Sequence, residues 1–255
     1  MKTSRSGLKW LSPVLNLFFP QRCIFCNGDR KGGGEYLCGP CMEDIGFIHS
    51  PMCFICGVPA DISYDYPQDE FTCGVCRQSP YKFDRAQSLG HYDTVLRQLI
   101  DHFKYKKQLR VLADIDFLLE KYFFDCGKEY ADFTVSPIPL HFSKMKERGF
   151  DQAFLLARQV AGVLHAPLES ALLRRVTATS AQATKTKTER AQNIKGAFEV
   201  NRPEQVAGKN ILLVDDVFTT GATANEAAKI LKKAGAGKVY IFTFGRVVVG
   251  KGLDG

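Results

Sequence analysis

The pattern of apolar and polar positions divides the chain near residue 80. Before this point the apolar residues follow no helical period, and Gly, Pro and Asp are frequent among them. After it, apolar runs typical of strands alternate with segments whose apolar residues recur at helical spacing. Because such alternation is typical of parallel sheets, we expect an α/β domain with helices on both faces of its sheet. The predicted units are a small module over 1–80 and this domain over 81–250.

The α/β part is predicted to contain four strands and four helices. The strands are expected at 86–92, 133–139, 210–214 and 238–244, and the helices after Asp93 and at 109–124, 150–164 and 224–234. Residues 139–148 are expected to form a basic loop, and residues 8–19 a short amphipathic helix or turn. Residues 174–195 are polar and basic with little periodicity. Since loops of this length are usually functional or disordered, we expect a mobile loop there.

Composition and charge narrow the classes of function. The hydrophobic fraction of 45% over 255 residues is close to the globular average, which argues against disorder. The net charge is +7, and the excess lies in residues 81–255, with 27 basic and 19 acidic residues against seven and eight in 1–80. A basic second half suits a polyphosphate ligand or a nucleic acid.

Export and membrane insertion are not expected. No run of about 18 apolar residues is present, so no membrane span is predicted. The apolar run near the amino terminus is interrupted by Ser12, Pro13 and Asn16 and leads to no small-residue cleavage site. We therefore expect a cytoplasmic protein. In that reducing compartment, paired cysteines favour metal binding over disulfides.

Eight of the nine cysteines form four Cys-x2-Cys knuckles: Cys23 and Cys26, Cys38 and Cys41, Cys53 and Cys56, Cys73 and Cys76. Two residues between ligands let one turn direct both sulfurs to one ion, and Zn²⁺ is satisfied by four thiolates. Four knuckles thus predict two closed, structural zinc sites. Pairing within 23–41 and within 53–76 is the simplest arrangement. Spacing alone leaves open an interleaved arrangement, an iron–sulfur cluster or disulfides. Cys126 is expected to be a small buried apolar residue.

The segment 210–226 carries the most specific pattern in the chain. An apolar strand ends in Asp215 and Asp216, and a hydroxyl-rich turn then leads into a helix. Thr223 and Glu226 are predicted to form a Thr-x-x-Glu capping box. The amino terminus of the helix, with its unpaired N–H groups, would then face the turn, and an anion is expected there.

The residues of this turn suit a ribose phosphate. Hydroxyl and backbone groups can surround a 5′-phosphate, and they belong to Thr219, Thr220, Gly221, Ala222 and Thr223. The neighbouring carboxylates of Asp215 and Asp216 can accept hydrogen bonds from a ribose 2′,3′-diol. The alternative is a strand-to-helix loop in which Asp and Thr serve only as caps.

With these residues the chain closely resembles the type I phosphoribosyltransferases. Their thirteen-residue ribose-phosphate motif corresponds to Val214–Glu226, which includes Val217 and Phe218. The knuckles and strings such as Phe103-Lys104-Tyr105 and Arg148-Gly-Phe-Asp-Gln152 make it similar, more narrowly, to the ComF family. Those competence-associated proteins carry a double zinc ribbon before a phosphoribosyltransferase-like domain. The resemblance covers about residues 18–246.

The resemblance implies a site for 5-phosphoribosyl 1-diphosphate with Mg²⁺. The diphosphate is expected over residues 139–148, where Arg148 can hold phosphate oxygens in a forked geometry. Arg148, Arg190 and Lys104 are the expected catalytic residues, and 174–195 is the expected lid, with Arg190 or Lys187 closing on the leaving group. His141 is expected to be a surface or core histidine.

Two positions depart from the family pattern. Asp151 stands where Asn is usual, a nearly isosteric change that adds a negative charge. Lys185 and its neighbours replace a more apolar stretch after Gln182. The second departure lies in the 174–195 loop, the expected lid.

The expected function is phosphoribosyl transfer linked to natural competence and DNA uptake. The sequence identifies neither the acceptor nor an oligomeric state. No base-recognition element of the salvage enzymes is evident, so a second hypothesis stays open: a non-catalytic ligand-sensing factor that binds single-stranded DNA or a helicase. A ligand-sensing repressor is a weaker third hypothesis, because no helix-turn-helix segment is visible.

Overall fold

Four parallel strands form the central sheet of this computed structural model. The structure describes residues 22–49, 51–60, 71–106, 108–177 and 194–248, without the side chain of Arg148. The sheet strands are β1 (Arg85–His91), β2 (Phe133–Pro137), β5 (Asn210–Phe218) and β6 (Val239–Arg246), in the order β1-β6-β5-β2. Two short strands, β3 (Leu173–Arg175) and β4 (Phe198–Val200), pair antiparallel in a separate sheet.

Seven α-helices lie within the described residues. They are α1 (Gly39–Glu43), α2 (Gly74–Gln78), α3 (Thr94–Tyr105), α4 (Val111–Cys126), α5 (Phe142–Arg148), α6 (Gln152–Leu164) and α7 (Ala222–Lys233). Short 3₁₀ turns occur at Gly127–Tyr130 and Pro203–Gln205. In α3 the buried residues include Leu96, Ile100 and Phe103, whose helical spacing predicted this helix.

Both faces of the sheet are covered, and the four consecutive apolar residues 211–214 of β5 pack on both of them. Ile211 and Leu213 pack on one face with α7, while Leu212 and Val214 pack on the other with α3, α4 and α6. All four side chains are fully buried. A strand buried on both faces reads as a continuous apolar run, and the predicted parallel α/β fold is confirmed.

The cysteine-rich module consists of two copies of one unit. In each copy the N–H group of the residue after a knuckle donates to the carbonyl of the first cysteine, from Asn27 to Cys23 at 3.0 Å and from Gly57 to Cys53 at 2.8 Å. Both of these residues have a left-handed backbone, with φ of 57° and 70°. The second knuckle of each copy opens a five-residue helix, α1 or α2. The module is therefore an internal repeat.

The first copy is fastened to α4 by a buried carboxylate. Asp114 is fully buried and accepts hydrogen bonds from the backbone N–H groups of Glu35, Tyr36 and Leu37 at 2.5, 2.9 and 2.8 Å. These residues immediately precede Cys38. Because the three N–H groups have their acceptor on a helix of the α/β domain, the position of this cysteine depends on that helix.

The module also covers the outer edge of β1. The N–H group of Ile48 donates to the carbonyl of Leu89 at 3.0 Å, and that of Ala86 donates to the carbonyl of Ile55 at 2.7 Å. A Cβ atom at Gly57 would lie far inside the contact distance of the Ala86 carbonyl oxygen, so this close approach requires glycine. An uncovered edge strand can pair with other chains, and the module removes that possibility here.

Several predicted boundaries need correction. Residues 139–148 do not form a loop, since Phe142–Arg148 is the helix α5; it is short and mostly polar, so its apolar spacing gave no helical pattern. β5 continues to Phe218, and Asp215 and Asp216 therefore lie within the strand. α7 begins at Ala222 rather than at residue 224.

Some sequence-based expectations fall on residues that are not described. The predicted amphipathic segment 8–19 and residues 178–193 of the predicted mobile loop are among them. The first residues of that loop are ordered, because Arg174 belongs to β3 and the N–H group of Val176 donates to the carbonyl of Ala197 at 2.9 Å. In the part of the chain that is described, no helix has both the length and the apolar character that crossing a membrane requires.

Replacing Asp114 with Ala should destabilise the protein by on the order of 3 kcal/mol or more, because three backbone N–H groups would lose their buried carboxylate acceptor. Thermal unfolding of the zinc-loaded protein measures this. The matched control is Asp116→Ala on the same helix, which removes a single hydrogen bond, from Gln159. Equal effects of the two changes would contradict the role assigned to Asp114.

Candidate functional site

The eight knuckle cysteines form two separate clusters. The first zinc cluster contains Cys23, Cys26, Cys38 and Cys41, and the second zinc cluster contains Cys53, Cys56, Cys73 and Cys76. Within each cluster the sulfur atoms lie within 4.8 Å of one another. The fold therefore adopts the sequential pairing, and the interleaved alternative is wrong.

The spacing of the sulfurs fits zinc. The sulfurs of Cys26 and Cys38 lie 3.7 Å apart, and those of Cys56 and Cys73 lie 3.8 Å apart. Tetrahedral Zn²⁺ with Zn–S bonds of about 2.3 Å needs sulfurs about 3.8 Å apart, whereas a disulfide bond is about 2.05 Å long. Cysteines fill all four positions of each cluster. Both sites are thus closed and structural, with no open position for a reacting molecule.

A bound cation would favour the ionised form of the thiols in the second zinc cluster. A hydrogen bond from Cys56, followed by backbone hydrogen bonds, lowers the pKa of the Cys53 thiol to about 4. Burial acts in the opposite direction on Cys76 and raises its thiol pKa to about 12. Without metal, therefore, only part of the second zinc cluster is ionised at neutral pH. Four thiolates become stable together when a divalent ion binds them.

The two acidic residues of β5 lie at its carboxyl end. The N–H group of Asp216 donates to Oδ1 of Asp215 at 2.8 Å. Burial, together with the charge of Asp216, raises the pKa of the Asp215 carboxyl to about 7, although Lys104 and Arg175 act against this shift. Ligands of parallel α/β sheets bind at the carboxyl ends of strands. The acid pair is thus placed where such a sheet opens a crevice.

Lys104 forms an ion pair with the acid pair. Its Nζ lies 2.7 Å from Oδ2 of Asp216, and the two side chains are only 11% and 19% exposed. The end of α3 is held in place by the amide of Gln152, which donates to the Lys104 carbonyl at 3.2 Å, and by the ring of Phe103, 5.4 Å from that of Phe150. The structure therefore brings the predicted residue Lys104 to the carboxylates.

The loop over residues 218–222 connects β5 to α7 and is called the phosphate loop after the ligand that the sequence predicts for it. Gly221 has a φ of 72°, and a Cβ atom there would lie 2.5 Å from the Phe218 ring, so the turn requires glycine. The Tyr81 hydroxyl donates to the carbonyl of Thr220 at 3.0 Å. The Thr220 hydroxyl accepts from the N–H group of Ala222 at 3.4 Å. The loop is thus fixed before any ligand binds.

The predicted capping box between Thr223 and Glu226 is wrong. Gly221 precedes the helix without a side-chain cap, and Thr223 lies inside the first turn. The Glu226 carboxylate instead accepts from the N–H group of Gly196 at 3.0 Å and lies 3.2 Å from Nζ of Lys229. The first N–H groups of a helix lack partners within it, so the start of α7 still suits an anion beside the exposed side chain of Thr219.

The segment after β2 adjoins the acid pair. The N–H group of Ile138 donates to the carbonyl of Val214 at 2.9 Å, one residue before Asp215. His141 caps α5, and its Nδ1 accepts from the N–H group of Ser143 at 3.2 Å. This capping contact gives His141 a structural role, in line with the expectation of a surface or core histidine.

Asp151 explains why one departure from the family pattern is compatible with the fold. Its Oδ1 accepts from the N–H group of Phe154 at 3.1 Å and caps α6. Asp and Asn are about equally good at this position. Burial raises the pKa of the Asp151 carboxyl above its usual value.

Other predicted site residues lie outside the described part. Arg148 ends α5, but its side chain is not described. Arg190 falls within 178–193, as do Gln182, Lys185 and Lys187. Their assigned roles stay predictions.

Two basic residues of the site escaped the sequence analysis. Arg246 is 5% exposed, its guanidinium carbon lies 4.3 Å from the centre of the Phe218 ring, and its Nη1 donates to the Cys56 carbonyl at 2.6 Å. Arg175 lies 5.4 Å from the centre of the Phe198 ring, and its charge acts on Asp215. The only hint in the sequence was that Arg246 follows the apolar run of β6, and no such pattern marks Arg175.

Two protein families match the chain. Residues 14–77 match the double zinc ribbon domain, and residues 151–247 match the phosphoribosyl transferase domain. The first match contains all eight cysteines of the two zinc clusters. The second match contains the acid pair, the phosphate loop and α7.

Two bacterial relatives resemble the chain over almost its whole length. It is 31% identical over 233 residues to Competence protein F of Haemophilus influenzae, across 90% of this chain and 98% of that protein. It is 29% identical over 236 residues to DNA utilization protein YhgH of Escherichia coli, across 91% and 100%. A hypoxanthine phosphoribosyltransferase from Staphylococcus aureus is 14% identical with a TM-score of 0.33, across 51% of this chain and 61% of that one. A similarity as low as this last one carries no argument.

We predict that protein made in zinc-replete medium contains two zinc ions per chain, because each cluster is a complete ligand set. Elemental analysis measures the metal, and alkylation of the native protein followed by mass spectrometry locates it. Bound zinc should protect all eight knuckle cysteines. One equivalent or fewer, with Cys73 and Cys76 alkylated, would contradict the second site, and a brown protein would indicate iron and sulfide.

Proposed function

Because the chain belongs to the ComF family, we propose that it binds 5-phosphoribosyl 1-diphosphate with Mg²⁺ and takes part in the uptake or use of DNA. The observation that carries the ligand assignment is the acid pair of β5 beside the phosphate loop and the amino terminus of α7. The names of the relatives, which refer to competence and DNA utilization, support the biological role.

Each part of the ligand has a matching group in the site. The 5′-phosphate would accept hydrogen bonds from the hydroxyls of Thr219, Thr220 and Thr223 and from the N–H groups at the start of α7. The ribose diol would donate to Asp215 and Asp216. Charge-assisted hydrogen bonds of this kind are roughly twice as strong as neutral ones. The specificity for ribose would thus come from the carboxylates.

Mg²⁺ prefers oxygen ligands and is usually bound by one or two carboxylates together with substrate phosphates. Asp215 and Asp216 are the residues of this site that offer such oxygens, and the ion would neutralise charge on the diphosphate. Arg148, at the end of α5, and Arg190 are the proposed partners of the leaving diphosphate. Their planar guanidinium groups can bind two phosphate oxygens at once.

The ion pair of Lys104 assigns it a more specific role than a general catalytic cation. Since its Nζ lies 2.7 Å from Oδ2 of Asp216, we propose that it orients this carboxylate for the diol. It would act through Asp216 rather than on the diphosphate. In this role Lys104 also limits the repulsion between Asp216 and its neighbour Asp215, which their burial would otherwise increase.

The site can serve a transferase or a non-catalytic ligand sensor, and diphosphate release separates the two. Breaking the bond between C1 and the diphosphate leaves a ribosyl centre with positive character, which needs charge stabilisation and exclusion of water. Release that is faster with the zinc-loaded protein than without it would support a transferase. An unchanged rate, with binding intact, would support a binding factor in DNA handling.

We predict that the double change Asp215→Asn and Asp216→Asn lowers ligand affinity by roughly tenfold or more. A hydrogen bond to a charged group contributes about 1.5 to 3 kcal/mol, against about 1 kcal/mol for a neutral one. Calorimetry with Mg²⁺ measures the affinity, and thermal unfolding checks that the variant is folded.

The control for this change is Glu129→Gln, which removes a carboxylate that pairs with Arg85 at 2.7 Å near the start of β1. It should leave ligand affinity unchanged, because the start of β1 lies at the amino ends of the parallel strands, whereas the acid pair lies toward their carboxyl ends. If the folded Asn variant binds as tightly as the parent protein, the ribose site lies elsewhere and the proposal is wrong.

Ligand affinity should also rise between about pH 6 and about pH 8. The diol donates to the ionised carboxylate, and burial raises the pKa of Asp215 to about 7, so ionisation across this range favours binding. The single variant Asp215→Asn retains only the pH dependence of the ligand phosphates and the other groups. Equal pH dependence of parent and variant would show that Asp215 does not titrate in the binding site.

A further inference from the structure

Arg246 joins the second zinc cluster to the phosphate loop. Its guanidinium donates to the Cys56 carbonyl at 2.6 Å and lies 4.3 Å from the centre of the Phe218 ring. Its Nε atom has no hydrogen-bond partner within the described residues. A buried cation needs compensating negative charge. Zinc bound by the four thiolates of the second zinc cluster would be a net anion, so it would supply that compensation beside Cys56.

Tyr81 makes a second connection between the same two regions. Its ring packs against the second zinc cluster and lies 4.5 Å from the ring of Phe83 and 6.3 Å from that of Phe218. Its hydroxyl donates to the Thr220 carbonyl at 3.0 Å. A Cβ atom at Gly221 would lie 3.1 Å from the Tyr81 ring. Tyr81 is thus in contact with the phosphate loop at several points.

The first zinc cluster packs elsewhere. Its buried cysteines, Cys23, Cys38 and Cys41, belong to the apolar core on the α4 side of the sheet. Phe218 belongs to the core on the opposite side, together with residues of α7, and Tyr81 and Ile55 connect that core to the second zinc cluster. The two metal sites, which are copies of one unit, therefore differ in what they support.

We propose that zinc at the second cluster and phosphoribosyl diphosphate at the phosphate loop stabilise each other's binding through Arg246 and Tyr81, and that zinc at the first cluster does not take part. This inference rests on the proposed function. Coupling between two binding sites is reciprocal, so the ligand must raise the zinc affinity of this cluster by the same factor by which this zinc raises ligand affinity. Removing the second zinc would therefore weaken ligand binding.

The first test uses the full chain loaded with two zinc ions. A chelator that binds zinc far more tightly than magnesium is added with N-ethylmaleimide, in the presence and absence of phosphoribosyl diphosphate and Mg²⁺. Mass spectrometry follows alkylation of each cysteine. The maleimide is kept dilute, so that zinc exchanges with the chelator faster than the thiols react and the alkylation rate follows the zinc affinity. We then expect the ligand to slow alkylation of the second zinc cluster by about fivefold or more, the usual range of coupling. The first cluster, in the same molecule, is the control and should react at an unchanged rate.

The second test uses no ligand. Cys73→Ser and Cys26→Ser each remove one sulfur, from the second and the first cluster respectively. Hydrogen exchange of the amides in 218–223 should become faster in the first variant and stay unchanged in the second. If Cys73→Ser does not fold, Tyr81→Phe is used instead in the first test, with ligand present. This variant keeps all eight cysteines, loses the hydrogen bond to Thr220, and should reduce the protection of the second cluster by ligand.

The outcomes separate this inference from the proposed function. If calorimetry shows ligand binding while both clusters are alkylated at unchanged rates, the coupling is wrong and the proposed function stands. If the parent protein does not bind the ligand, the proposed function is wrong. The proposed coupling between ligand binding and the second zinc is then wrong as well. Equal exchange in 218–223 for the two serine variants would overturn the link between the second zinc and the loop.

Discussion

Two adjacent carboxylates in a partly buried position repel each other and lose hydration. The surrounding elements reduce this cost by placing positive charge beside the pair. Lys104 arrives from α3 on one face of the sheet and pairs with Asp216, while the charge of Arg175 reaches Asp215 from β3. The acid pair therefore needs elements from outside its own strand to be in place. A raised pKa at Asp215 shows that the compensation is incomplete without a ligand, so further donors or a cation would be favoured there.

Periodicity and spacing predicted much of the molecule from the sequence. The continuous apolar run of β5 and the helical spacing of α3 identified the parallel fold, and the four knuckles identified two metal sites. The capping box was wrong because α7 begins at Ala222, which leaves Glu226 to a backbone group of the segment before β4. Arg246 could not be predicted, because its partner Cys56 lies 190 residues away and no local pattern connects them.

The cysteine-rich module contributes to the α/β part as well as to its own stability. Asp114 orders the chain before Cys38, and the backbone hydrogen bonds of Ile48 and Ala86 close the outer edge of β1. A small module has little apolar surface to bury, and metal compensates for this. The module covers the outer edge of β1, and its second zinc cluster lies close to the loop that follows β5.

The residue that follows the first knuckle of each repeat shows how the two copies have diverged. Both positions have a left-handed backbone, but one is Asn27 and the other is Gly57. Left-handed Asn is tolerated where there is room, whereas Gly57 lies against the Ala86 carbonyl and has no space for a side chain. After a duplication, the copy in which this position is exposed can accept substitutions there, and the copy in which it lies against the sheet cannot. In chains with this architecture, the glycine therefore marks the ribbon that is bound to β1.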